Sequence, residues 1–298
     1  MKSNFVIFID STGDMSAELR KQYDVDYVRF GVAVEDGERM DASLDYDQGM
    51  SHHDFYQVMR DGKRIFTQQS TESEVEKRFL PVLESGKDIL YIACSSGLSA
   101  SYDVACKVVA SLLKKFPDRK VICIDSLISG YAQADMAIKA SKMREEGKTL
   151  DEAASFIMEN RLRFNQFATV ENLTALKKAG RVTASSAFFG NIFGVKPILI
   201  SDVKGHNLAV EKVKGLKTAL CRIADLAVDC CEDPENETFY ISDADNPAAA
   251  EITKAQLLRR LPNAKIYRGN IGPIIGASTG PGTVAVYVYG KPVTACGE

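Results

Sequence analysis

The 298-residue sequence predicts a two-domain α/β protein, and three observations carry that reading. Three near-continuous apolar runs, Phe5–Ile9, Ile89–Cys94 and Val121–Ile124, are each followed by a short polar cluster and then a helical pattern. That alternation is the mark of a parallel sheet covered on both faces. After about residue 164 the texture changes, and hairpin signals mix with helices. Apolar residues make up 45% of the chain and charged residues 26%, as in globular proteins, and the length allows two cores. The expected fold is an N-terminal parallel-sheet, Rossmann-like domain over residues 1–163. A C-terminal α/β domain with a mixed or antiparallel sheet follows over 164–298.

The elements follow in order. Phe5–Ile9 is the first strand. It is too short for the apolar segment of a signal peptide, and Asp10 follows it at once. Asp10-Ser11-Thr12 then leads into a helix from Met15 to Gln22, for which Ser11 or Thr12 is a candidate cap. Asp36 to Asp61 is polar, acidic and weakly periodic, and reads as a long excursion. Thr71 and Glu74 have capping-box spacing before a helix over Glu72 to Leu83. The second apolar run leads through Ser95-Ser96-Gly97-Leu98-Ser99 to a helix from Tyr102 to Phe116. Val104, Val108, Leu112 and Leu113 stripe that helix, and Pro117 stops it. The third run leads through Asp125-Ser126 to a helix from Tyr131 to Glu146.

In the second half, Gln166–Val170 is a strand, and Leu173 to Lys178 is a short helix closed by Gly180. Pro197–Ser201 and Leu208–Val213 form a hairpin. A helix over Leu216 to Cys231, a strand over Thr238–Ser242, a helix over Ala248–Leu261 and a strand over Lys265–Tyr267 come next. A glycine-rich loop spanning Gly269 to Gly282 precedes the last strand, Thr283–Tyr289.

The charge and composition exclude several classes. Lys and Arg number 37 against 40 Asp and Glu, a net charge of −3. No basic stripe invites nucleic acid or an anionic membrane, and no apolar run reaches the ~20 residues of a membrane span. Seven cysteines, an odd number and without C-x-x-C, do not make a disulfide framework. The three histidines do not interleave with them as zinc ligands would. A cytoplasmic protein without a metal is expected.

Ligands of open parallel sheets bind at the carboxyl ends of the strands. All three N-terminal strands end there in hydroxyl or carboxylate residues. In Ser95-Ser96-Gly97-Leu98-Ser99, glycine permits close backbone approach and the next helix offers free N–H groups. That suits a carboxylate or phosphate, but the serines equally suit a helix cap. No G-x-S-x-G elbow supports a serine hydrolase. No Walker A loop is present, and the late glycine loop precedes a strand, not a helix.

Taken together, Asp10-Ser11-Thr12, Thr67-Gln68-Gln69, Ser95-Ser96-Gly97-Leu98-Ser99, Asp125-Ser126, Ala179-Gly180-Arg181-Val182, Lys196-Pro197-Ile198-Leu199 and Ile271-Gly272-Pro273 with Gly280-Pro281-Gly282 resemble, in order, the motifs of the DegV family. The resemblance runs from about residue 5 to residue 290. It implies a protein that encloses one long-chain fatty acid between its two domains and uses no cofactor of its own. It further implies a partner, a separate fatty acid kinase that phosphorylates the carboxylate. Carried over by position, Thr67, Ser95, Ser96 and Ser278 would hold the carboxylate. Arg181, Lys214 and Lys291 would face the kinase or the phosphate. Phe30, Phe188, Phe189, Ile192, Phe193, Ile274 and Ile275 would wall the tunnel.

The chain departs from the family pattern at three places. Gln68 follows Thr67 where serine is usual. Ser278 stands where a histidine usually sits in the late glycine loop, so a hydrogen bond is kept but no positive charge is added. Lys214 replaces a more usual arginine, which removes bidentate phosphate recognition. The competing class is an autonomous enzyme acting on a small carboxylic acid or phosphate ester.

Overall fold

The computed structural model describes residues 4–297 apart from 36, 48–49, 172 and 184–193. The first half builds a fully parallel four-stranded sheet in the order β2-β1-β6-β7, from β1 (Phe5–Asp10), β2 (Val25–Val28), β6 (Asp88–Ala93) and β7 (Val121–Asp125). α1 (Ala17–Tyr23) joins β1 to β2. Its cap is Ser16, whose hydroxyl accepts the Leu19 N–H, and not the expected Ser11 or Thr12.

The Asp36–Asp61 stretch is not a bare excursion. It contributes β4 (Arg39–Asp41) to a small antiparallel sheet, β4-β3-β5, with β3 (Gly31–Val34) and β5 (Ile65–Gln68). It also forms α2 (His52–Arg60), capped by Ser51, which accepts the Asp54 N–H. α2 turns Phe55, Tyr56, Val58 and Met59 onto one core, an apolar stripe at helical spacing but little more than one turn long between polar flanks. α3 (Glu72–Glu84) starts as expected at Thr71, but the box is only half closed. Thr71 accepts the Glu74 N–H, while the Glu74 carboxylate turns to the Arg29 amide and the Arg78 guanidinium, 3.2 and 3.0 Å away.

α4 (Ser101–Lys115) covers one face of the parallel sheet, and α5 (Tyr131–Glu145) and α6 (Leu150–Asn160) cover the other. α5 has no polar side. It is buried along most of its length, packing on β1 and β6 and also on the second sheet.

That second sheet is six-stranded, with order β10-β9-β8-β13-β11-β12. Its strands are β8 (Phe164–Thr169), β9 (Val195–Ser201), β10 (Asn207–Lys214), β11 (Thr238–Asp243), β12 (Lys265–Asn270) and β13 (Val284–Tyr289). Only β11 and β12 pair in parallel; the other neighbours are antiparallel. Alternation along its strands gives two faces. Phe167, Ile198, Phe239, Ile241, Val284 and Val286 pack under α8 (Leu216–Cys230) and α9 (Pro247–Arg260). Ala168, Leu199, Tyr240, Ala285 and Tyr287 face α5 and share one core with the parallel sheet.

Two short helices complete the chain, α7 (Thr174–Ala179) and α10 (Pro273–Thr279). α10 lies inside what the sequence presents as a glycine loop. Pro273 opens it, and Gly276 is tolerated inside it because the Tyr56 hydroxyl occupies the space a side chain would need.

Between the sheets, α5 buries Asp135, which accepts the Tyr240 hydroxyl at 3.0 Å. Burial, outweighing nearby Lys139, pushes its carboxyl up to about 6. The unfolded chain therefore releases this proton near pH 4 while the folded chain keeps it to about pH 6. Stability should fall as pH rises across that window, by about 3 kcal/mol from this group. Buried Asp10 and Asp14 are shifted the same way. Asp135→Asn should flatten, not abolish, the loss between pH 4 and 6 in urea titrations. An unchanged slope would show that Asp135 is not the group responsible.

Candidate functional site

The carboxyl ends of β1, β6 and β7 meet at one edge of the parallel sheet, and Asp10 organises that edge. Its carboxylate accepts the Thr12 N–H at 2.9 Å, the Cys94 N–H at 2.7 Å and the Tyr91 hydroxyl at 3.2 Å. Burial still raises its pKa above the ordinary range, because the desolvation of a fully buried carboxylate outweighs these bonds. The Ser11 hydroxyl donates to Ala42 O and accepts the Phe30 N–H, so it pins the start of the small sheet.

The Ser95–Ser99 loop has a different occupant from the one the sequence suggests. Ser95 Oγ is fully buried, donates to Gly205 O at 2.8 Å and accepts the Gly97 N–H at 3.1 Å. Gly205 lies in the turn of the β9–β10 hairpin at φ 77°, and a side chain there would strike Ser95 and Leu127. Gly97 faces the same turn at Lys204 O. The close approach that glycine permits is thus made by the chain's own hairpin. Ser96 faces outward and donates to Asp125 Oδ2 at 2.5 Å. Neither serine borders the cavities described next.

An inner cavity of about 250 Å³ lies beside this edge. Phe30, Cys94, Leu98, Leu176, Ile274 and Ile275 give it apolar walls. A narrow extension of about 40 Å³ shares Leu176, Ile275 and Thr279 with it and continues along Ala168, Val170, Leu199 and Ala285 of the second domain. On the other side lies an outer cavity of about 510 Å³, whose lining includes Lys63, Arg64 and Lys178.

Thr67, Arg181, Ser278 and Thr279 border both the inner and the outer cavity, so they form the neck between them. Thr67 comes from β5, and Ser278 and Thr279 from the end of α10. The Ser278 and Thr279 hydroxyls donate to Ile274 O and Ile275 O one turn back, so each must rotate away from that carbonyl to donate to a ligand. Arg181 follows Gly180, which ends α7 at φ 66°, and the Arg181 N–H returns to Leu176 O at 3.0 Å. Its Nε donates to Leu98 O at 3.2 Å, and its carbonyl accepts Asn207 Nδ2 at 2.9 Å. Leu98 O and Ala179 O thus hold the guanidinium, while Leu176 and Asn207 hold the backbone that carries it.

Of the residues that the sequence singles out, Thr67, Ser278, Arg181, Phe30, Ile274 and Ile275 come together here. Lys214 does not. It ends β10, while Asn207 at the strand's start lines the inner cavity; at about 3.3 Å per residue the two are roughly 23 Å apart. Lys291 lies past the far end of β13, and its ammonium donates to Asp229 O at 2.8 Å. Phe188, Phe189, Ile192 and Phe193 lie outside the described residues. Thr279, Lys63, Arg64 and Lys178 were missed. Thr279 adjoins Ser278, and recognising α10 would have found it. The three basic residues sit in unremarkable local sequence, and only the packing of α10 on both β5 and α7 gathers them.

The fold and these cavities define a two-domain α/β protein with a void at its domain boundary, whose apolar wall of Phe30, Leu98, Leu176, Ile274 and Ile275 faces polar residues that include Gln68, Gln69 and Ser129. The chain belongs to the DegV family: the family profile, described as "Uncharacterised protein, DegV family", matches residues 4–291. A DegV domain-containing protein of Clostridium perfringens is 30% identical over 288 residues, covering 96% of this chain and 97% of that one. A DegV lipid-binding protein of Thermotoga maritima superposes with a TM-score of 0.83 at 25% identity, covering 98% of this chain and 100% of its own. A second Thermotoga maritima protein, described as revealing a fatty acid binding function, superposes with a TM-score of 0.80 at 26% identity over 97% and 100% of the two chains. Among the described residues, no helix is long and apolar enough to cross a membrane.

Proposed function

We propose that this protein binds one long-chain fatty acid, with its carboxylate at the neck and its acyl chain running inward. The observation that carries the reading is the neck itself: three hydroxyls and one guanidinium between a cavity with one apolar wall and a cationic one. The two Thermotoga relatives described as lipid- or fatty-acid-binding support it. Thr67 supplies a hydrogen bond to the carboxylate, Ser278 and Thr279 supply theirs by turning from the helix carbonyls, and Arg181 supplies the charge that Ser278 cannot. Burying roughly fourteen methylenes at about 0.8 kcal/mol each gives an upper bound of about 11 kcal/mol. Association and ordering costs of several kcal/mol bring that to micromolar or nanomolar affinity. Without the neck donors, burial of an ionised carboxylate would oppose binding.

The outer cavity gives the proposal its second half. Lys63, Arg64 and Lys178 line the route to the carboxylate, so a phosphoryl group added there would meet cations that Lys214 and Lys291 are too remote to provide. This suits presentation of the carboxylate to a separate fatty acid kinase. Thr67→Val removes one hydroxyl at constant shape and should weaken palmitate binding roughly tenfold, the loss of one hydrogen bond to a charged group. Lys178→Ala should leave palmitate binding within twofold, yet lower acyl-phosphate formation with a fatty acid kinase subunit and ATP by tenfold or more. If Thr67→Val leaves binding unchanged, the carboxylate is not at the neck. If Lys178→Ala loses the lipid, the division between inner and outer cavities is wrong.

A further inference from the structure

A third cavity, of about 240 Å³, shares no lining residue with those described above. It opens at the β1–α1 turn, the end of β12 and the first residues of α5 and α10. Asp14, Tyr46, Tyr131, Tyr267, Arg268 and Asn270 line it. Its volume is below the roughly 300–1,000 Å³ of drug-sized pockets, so a small molecule fits and a lipid does not.

Asp14 is the unusual member. It is 5% exposed, and neither carboxylate oxygen has a hydrogen-bond partner within normal geometry. The Gly272 amide is the nearest donor and stabilises the charge only in part, while burial and nearby Asp10 push the carboxyl well above its ordinary range. Asp14 also adopts a left-handed backbone, φ 50°, which few non-glycine residues do. An acid held this way, with one imperfect amide and no cationic partner, beside a cavity is a cost only partly compensated by the fold.

The rest of the lining indicates what that is. Tyr131 stacks on Tyr240 with centroids 5.7 Å apart and meets Tyr267 at 5.6 Å. Gly269 leaves the space in which the Tyr131 hydroxyl sits. The Tyr46 hydroxyl donates to Ile271 O, and that of Tyr267 is 2.7 Å from Ser16 Oγ. Three tyrosine rings beside one carboxylate are a cation-recognising set. Arg268 does not neutralise Asp14, because its terminal nitrogens bond Glu251 and Asp243 at 2.5 and 3.0 Å. Its Nε–H is buried without a partner and remains for a ligand oxygen.

We propose that this cavity is a second ligand site, for a small primary ammonium compound of the amino-alcohol class, with its ammonium on Asp14 among the tyrosines and its hydroxyl taking the Arg268 Nε–H. Because Arg268 already has two acidic partners, a neutral hydroxyl suits its last donor better than a carboxylate would. The site is independent of the fatty acid reading.

The test is titration of the intact protein, ¹³C-labelled at aspartate carboxyls, with ethanolamine at constant ionic strength. The Asp14 resonance is assigned by its loss in Asp14→Asn. Ethanolamine should move that resonance saturably to the ionised position. Ethylene glycol and KCl at matched concentrations should not move it. Calorimetry on Asp14→Asn should show ethanolamine affinity reduced at least tenfold, as expected for one lost charge-assisted interaction. Tyr46→Ala, which removes one ring, should weaken ethanolamine binding at least fivefold and serves if Asp14→Asn does not fold; unchanged affinity there overturns the proposal equally. No saturable shift with ethanolamine, an equal shift with KCl, or unchanged affinity in Asp14→Asn overturns the proposal and leaves the cavity to water.

Discussion

Ala168→Phe is expected to strip the protein of long acyl chains while leaving short ones bound. Ala168 lies in β8 on the face turned to α5, and borders the narrow extension with Val170, Leu199 and Ala285. Small residues at 168 and 285 keep that space open. A phenyl ring at 168 fills it and blocks the far end of the chain. Excluding about four methylenes forfeits roughly 3 kcal/mol, a loss of more than 100-fold in affinity for C16 and C18 acids. Acids of C8 to C10 end before the block and should bind as in the parent. Overpacking costs stability as well, by about 1–3 kcal/mol, which the fold can absorb. Displacement of a fluorescent fatty acid by a chain-length series reads the effect. Equal affinity for stearate in variant and parent would place the acyl chain elsewhere.

Asp10→Ala should be the most destabilising single substitution at this end of the molecule. The carboxylate is fully buried and receives bonds from two backbone amides and from the hydroxyls of Thr12 and Tyr91. Alanine leaves these donors unpaired inside the protein at about 1–3 kcal/mol each, and opens a small void. The expected cost is about 5 kcal/mol, a large part of a typical domain's stability. Asp10→Asn keeps the shape and part of the acceptor capacity, and should cost less than half as much. Urea unfolding of the three proteins, with the m-value unchanged, measures this directly. A loss below 1 kcal/mol for alanine would mean that the Asp10 cluster is replaceable by water.

The legible part of the fold was the part written in strong periods. β1 and β6 are buried on both faces and β7 is half-buried at the sheet edge, and all three appear as unbroken apolar runs. α4 carries its stripe openly, and Gly180 ends α7 in the left-handed conformation where a glycine cap was expected. What escaped was what depends on distant partners. α10 is hidden because Gly276 reads as a loop residue until Tyr56 is seen occupying its space. The apolar stripe of α2 spans little more than one turn, and β2 and β3 are only four residues each.

The site divides in the same way. Thr67, Ser278 and Arg181 were singled out through motif order, and the fold brings them to one neck, where their part in binding is a proposal. Ser95 and Ser96 look like ligand groups in sequence, but the hairpin turn at Gly205 and the Asp125 carboxylate use their hydroxyls. No local reading reveals that a turn more than 100 positions later will dock on Ser95. The cationic lining of the outer cavity is likewise a tertiary product, since Lys63 and Arg64 reach it from β5's approach and Lys178 from α7.

The most direct test of the central claim is solvent extraction of the purified protein under denaturing conditions, with mass spectrometry of the extract and of the intact complex. The account predicts close to one C14–C18 fatty acid per chain, restored by palmitate or oleate after delipidation. A chain that carries no fatty acid and takes up neither added acid would contradict it.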